Sequence, residues 1–125
     1  MDADLFIQNI GPLLKLSGFK KSSFTWRKDQ GESIAVFNVQ KSQWDGGAIY
    51  INLGVYFRAY GDEASPTENK CHVRVRLPVE DASAVIAAAV QWFEARVSLQ
   101  EAAILAEADS KKGLVAKELR NAAAT

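Results

Sequence analysis

The sequence predicts an α+β domain, a four-stranded antiparallel meander covered on one face by an N-terminal helix and C-terminal helices. Three observations predict it. Apolar residues recur at helical spacing at the start of the chain. Four central segments alternate polar and apolar residues with a period of two. From Asp81 onward the helical period returns. The expected layout is one domain, with a helix over 1–18, a sheet over 24–77 and a helical part over 81–123.

The first helix is expected from Asp4 to Ser17, where Leu5, Phe6, Ile10, Leu13, Leu14 and Leu16 share helical spacing. Asp2 or Asp4 can cap its N-terminus, and Gly18 suits the left-handed residue that ends it. Pro12 lacks an amide hydrogen and predicts a kink or a fresh start. Phe24 to Lys28 is the first strand, followed by a Gln30-Gly31 turn and a second strand from Ser33 to Lys41. Asp45-Gly46 is a hairpin signal, and Ala48 to Arg58 is the longest strand. Ala59 to Lys70 is a polar loop, and Cys71 to Leu77 is the last strand, stopped by Pro78. Such short spacings favour antiparallel neighbours in the order 1-2-3-4.

Val85, Ile86, Ala89, Val90, Phe93 and Val97 form the stripe of the next helix, with Glu80 and Asp81 at its positive end. Ser98 and Glu101 have the spacing of a capping box, so another helix starts there. Ser110 to Thr125 is helix-prone and weakened at Gly113.

Alternation assigns the faces of the sheet. Ile49, Ile51, Leu53, Val55 and Phe57 point towards the helices, with Cys71, Val73, Val75 and Leu77 beside them. The opposite face collects Asn38, Gln40, Tyr50, Asn52, Tyr56, Arg58, His72, Arg74 and Arg76, and Trp44 joins them if it overhangs the hairpin bend. An antiparallel sheet often leaves one face in water, so polarity alone says little. The signal is composition: amide, aromatic and guanidinium groups instead of a Lys/Glu mixture.

Composition bounds the function. The chain has 125 residues, is 48% hydrophobic and has zero formal net charge, so no global field recruits nucleic acid or an anionic membrane. Cys71 is the one cysteine, which fits a reducing, cytoplasmic compartment. The first ten residues carry no basic region of a signal peptide, and no apolar run approaches the ~20 residues of a membrane span. One His and one Cys make no common zinc site, and Asp62, Glu63 and Glu68 lack the spacing of a calcium loop. Gly46-Gly47 lacks a phosphate-binding lysine and helix, and there is no nucleophile elbow. No metal, cofactor or catalytic residue is therefore expected.

The runs Asn38-Val39-Gln40-Lys41-Ser42-Gln43-Trp44, Ile51-Asn52-Leu53-Gly54-Val55-Tyr56 and Cys71-His72-Val73-Arg74-Val75-Arg76-Leu77, with the opening Leu16-Ser17-Gly18-Phe19-Lys20-Lys21, resemble the bacterial family known as domain of unknown function 4304. The resemblance extends to about Phe93. It implies a cytoplasmic bacterial setting and brings no activity, cofactor or site residue with it.

The expected function is a non-enzymatic binding module whose polar face meets an unknown protein or a small polar or anionic ligand. Its immunity-type version, neutralising a toxin, rests on fold-level analogy. One alternative is single-stranded nucleic acid, which zero net charge disfavours. The other is an enzyme on an anionic substrate, with His72 as acid/base and the arginines as clamps.

Overall fold

The structure, a computed structural model, describes residues 3–42 and 48–124. Its first helix, α1 (Ala3–Leu16), buries Phe6, Ile7, Ile10 and Leu14. Leu5 and Leu16, expected in the stripe, face outward. The helix runs on through Pro12 instead of restarting there. Gly11 has no Cβ to meet the proline ring, which eases the usual clash before proline. Asp4 lies in the first helical turn and pairs with Lys41 at 2.9 Å, while Asp2 lies outside the described residues. Gly18 ends the helix in the left-handed region at φ +93°, with its N–H donating to the Lys15 carbonyl.

The sheet has six antiparallel strands, not four, in sequential order: β1 (Lys20–Ser22), β2 (Thr25–Asp29), β3 (Ser33–Lys41), β4 (Ile49–Phe57), β5 (Val73–Leu77) and β6 (Leu114–Val115). Both additions are edge strands without apolar alternation. Lys20-Lys21-Ser22 pairs with Arg27-Trp26-Thr25 across a turn at Ser23, which takes φ 59°. β6 is two residues from the tail expected to be helical, and it pairs Val115 with Val73. A Cβ on Gly113 would lie 1.9 Å from the Arg74 carbonyl oxygen, so only glycine lets this segment come alongside β5. Gly31 makes the expected turn at φ +87°, its N–H donating to Asp29 Oδ1. The Asp45-Gly46 hairpin turn and Trp44 lie outside the described residues.

Three further helices follow, α2 (Ala82–Glu94), α3 (Leu99–Lys112) and α4 (Lys117–Ala124). Asp81 caps α2 by accepting from the Ala84 N–H, and Ser98 caps α3 by accepting from the Glu101 N–H, both at 3.0 Å. Val97 falls beyond α2, in the link to α3. The helices cover one face of the sheet. Phe37, Ile51, Leu53, Val55, Phe57 and Val73 meet Phe6, Ile10 and Leu14 of α1, Ile86, Ala89 and Phe93 of α2, and Ala102 and Ala106 of α3.

A second, small apolar cluster lies on the opposite, outer face: Ile34, Val36, Tyr56 and Cys71. Its cover is the connection from β4 to β5, which contains 3-10 turns at Arg58–Tyr60 and Glu68–Lys70. Arg27 Nε donates to the Pro66 carbonyl at 2.7 Å and fastens this connection over β2.

A buried ion pair joins the link after α2 to α3. Arg96 Nε and Nη2 donate to the two oxygens of Asp109 at 3.0 and 2.8 Å, and Nη1 donates to the Trp92 carbonyl at 2.9 Å. The Arg96 guanidinium also stacks 4.5 Å from the Trp92 ring. Both side chains are almost fully buried. Removing one partner strands the other charge in the interior, at a cost of about 3–5 kcal/mol. Urea unfolding of Asp109→Ala should show a loss of that size. The paired replacement Arg96→Met/Asp109→Leu should recover most of it.

Candidate functional site

The outer face is where the amide and guanidinium residues gather, and strand register fixes which of them meet. Thr25 lies opposite Asn38, Asn38 opposite Asn52, and Asn52 opposite Arg76. Four strands thus contribute to one straight polar row. Asn38 Nδ2 donates to Thr25 Oγ1 at 3.1 Å, and Asn52 Nδ2 donates to Asn38 Oδ1 at 3.1 Å and to Gln40 Oε1 at 3.2 Å. Arg76 Nε donates to Asn52 Oδ1 at 3.1 Å. The Arg76 guanidinium lies 4.4 Å from the centre of the Tyr50 ring.

Asn52 is buried, and its neighbours satisfy both ends of its amide. That fixes the amide's orientation and, through it, the direction of Arg76. The two terminal nitrogens of Arg76 have no hydrogen-bond partner among the described residues, and its side chain is exposed.

Arg76 borders a cleft of about 250 Å³, lined also by Asn52, Glu68, Arg74, Lys112, Gly113 and Leu114. Arg74 is held by Glu68 in a two-pronged pair at 2.8 and 3.1 Å. The Glu68 bond is the main reason the Arg74 guanidinium holds its proton even more firmly than usual. With that charge matched, Arg76 and Lys112 are the cations of the cleft with no carboxylate partner among the described residues. Three cations against one carboxylate make it an anion-favouring hollow in a chain of zero net charge.

The other expected members of the face are not in this cleft. Tyr56 is on the outer face but beneath the β4–β5 connection, and its hydroxyl accepts from the Glu63 N–H at 3.2 Å. Arg58 sits at the far corner, paired with Asp29 through both carboxylate oxygens at 3.2 Å. The Asp29 carboxyl is held below its ordinary range, first by the Gly31 N–H and then by Arg58. With Lys20 and Arg27, Arg58 borders a separate hollow of about 270 Å³.

His72 and Cys71 are placed differently from the alternation pattern. The β4–β5 ladder ends at Val55 opposite Val73, and the His72 N–H donates to the Val55 carbonyl. Beyond that end Cys71 turns to the outer face over Gly54, where an added Cβ would be 2.6 Å from the Cys71 sulfur. His72 is turned to the end of β4, against Tyr56, Phe57 and Tyr60, and its Nδ1 accepts from the Phe57 N–H at 3.0 Å. Neither residue lines the cleft. Among the described residues no group of His, Cys, Asp and Glu is arranged to hold a metal, and no helix is long and apolar enough to cross a membrane.

Five site residues escaped the sequence reading: Thr25, Glu68, Lys112, Gly113 and Leu114. Thr25 was legible, since the register that joins Asn38 to Asn52 also reaches it. Glu68 comes from a connection with no periodicity. Lys112 to Leu114 depend on β6, which a helix-prone tail concealed.

A family model, Domain of unknown function (DUF4304), matches residues 10–110, and the chain belongs to that family. No curated protein and no solved structure matches the chain. The matched span contains the polar row and stops just short of Lys112, Gly113 and Leu114.

Burial pushes the Cys71 thiol far above its ordinary pKa, so it should resist dithionitrobenzoate in the native protein. Gly54→Ala displaces the sulfur and should raise the labelling rate at least tenfold. Burial also lowers the pKa of His72, with the nearby Glu118 acting in the opposite sense. The unfolded chain therefore binds the proton more tightly, so this contribution to stability is full above about pH 6.5 and shrinks as pH falls towards the folded value. Unfolding free energies measured from pH 7 to 5 should fall less steeply in His72→Gln, whose amide oxygen can still accept from Phe57.

Proposed function

We propose that this member of the DUF4304 family is a non-enzymatic binding module that holds a carboxylate or phosphate group of its ligand in the cleft at Arg76. One observation carries the reading. Arg76 is fixed by its Nε bond to Asn52 and its stack on Tyr50, and its two terminal nitrogens remain unpartnered beside a cationic hollow. A guanidinium held this way has already lost much of its rotamer freedom, so less is lost when it binds.

The alternatives draw less support. The tyrosines that would stack on bases are engaged, Tyr50 by Arg76 and Tyr56 by the β4–β5 connection. As an acid/base, His72 would need access to a substrate, and its ring is enclosed at the end of β4. We place the protein in a reducing, cytoplasmic setting, in keeping with its lone buried thiol.

A heteronuclear NMR titration with pyrophosphate and with citrate tests the site. Shifts should concentrate at Asn52, Arg74, Arg76 and Gly113. Arg76→Ala should weaken binding at least tenfold, about 1.4 kcal/mol, and Asn52→Ala should do likewise by releasing the guanidinium. Unchanged affinity in both variants would remove this site.

A further inference from the structure

We infer a second ligand site on the opposite side of the sheet, at the β1 edge, for a small anion carrying an apolar body. A groove of about 580 Å³ runs between the C-terminal half of α1 and the first two strands, more than twice the volume of either outer hollow. Its size lies within the range of small-molecule pockets, roughly 300–1,000 Å³. Its lining is Gly11, Lys15, Gly18, Phe19, Lys20, Lys21 and Trp26, which includes three lysines and no acid.

The rings beneath the groove, Phe19 and Trp26, belong to the core and are almost wholly buried, and lysines lie over both. Lys21 Nζ lies 5.5 Å from the Trp26 ring centre, and Lys28 Nζ lies 6.0 Å from that of Phe19, at the margin beside Gly18. Long lysine stems add apolar wall while their ammonium groups stay at the mouth. Gly11 leaves the helix side open, since a Cβ there would meet nothing within 4 Å. The carbonyls of Leu13, Leu14 and Lys15 accept from the backbone N–H groups of residues 17–19, and Lys15 lies in the same last turn, so the negative end of α1 is partly offset.

Charge complementarity selects the occupant. From Leu5 to Lys28 the chain carries Lys15, Lys20, Lys21, Arg27 and Lys28 and no acidic residue, although the whole protein is neutral. Lysines on an exposed edge strand also discourage pairing with other chains. That role accounts for Lys20 and Lys21. Lys15, in the last turn of α1, also complements the helix dipole, and neither role accounts for the hollow between α1 and the first two strands.

Two fluorescent probes with the same body separate the terms, the sulfonate 8-anilinonaphthalene-1-sulfonate and the neutral N-phenyl-1-naphthylamine. The folded protein should bind the sulfonate saturably with one-to-one stoichiometry, at least tenfold more tightly than the neutral probe. Gly11→Leu, which fills the groove, and Lys15→Glu/Lys21→Glu, which reverses its rim, should each weaken sulfonate binding at least tenfold. Their thermal unfolding confirms that they are folded, and if Gly11→Leu does not fold, the lysine pair decides. Arg76→Ala should leave binding unchanged, which separates this groove from the outer cleft. The site is overturned by absence of saturable binding, by equal affinity for the two probes, by unaltered affinity in a folded variant, or by loss of binding in Arg76→Ala.

Discussion

The outer face of the sheet is organised around the missing side chain of Gly54. Its strand neighbours Leu53 and Val55 are fully buried in the inner core, and Gly54 itself is buried. Because Gly54 presents only a hydrogen outward, Cys71 can sit directly above it, closer than any Cβ would allow. That contact seats the β4–β5 connection on Ile34, Val36 and Tyr56, apolar or aromatic groups that an open sheet face would leave in water. Gly61 repeats the device at the other end of the connection, where a Cβ would fall 1.9 Å from the Tyr56 hydroxyl.

The covering divides the outer face into two regimes. Beneath the connection the face is apolar and buried. Beside it the row runs from half-buried Asn38 through buried Asn52 to exposed Arg76, with its amides committed to one another and only the end of the guanidinium left over. The same connection also supplies Glu68, which matches Arg74 and leaves Arg76 and Lys112 as the cations of the cleft with no carboxylate partner among the described residues. A segment that completes the fold therefore also shapes the electrostatics of the hollow. Such preorganisation is what makes a few polar groups effective at an otherwise modest surface.

Much of this was legible in the sequence. The period-two alternation from Ile49 to Phe57 located the inner core and placed Asn52 on the same side as Asn38 and Arg76, and the capping residues Asp81 and Ser98 marked the starts of α2 and α3. The sequence failed where geometry depends on contacts distant in the chain. The β4–β5 ladder stops at Val73, so Cys71 turns to the outer face and His72 to the end of β4, and no local pattern announces it. β1 and β6 are short edge strands held by pairing, not by an apolar face, so periodicity is blind to them. Arg58 lies in the 3-10 turn just beyond β4, at the far end of that strand from Arg76, and borders a different hollow.

The seat of Cys71 on Gly54 is open to one direct measurement, an isotope-edited nuclear Overhauser spectrum of the native protein. Cross-peaks from the Cys71 β-protons to the Gly54 α-protons and to the Tyr56 ring, with the Arg76 Nε proton close to the Tyr50 ring, are the expected result. Cross-peaks from Cys71 to Leu53 or to the α2 side chains would put the cysteine on the helical side of the sheet and contradict the account.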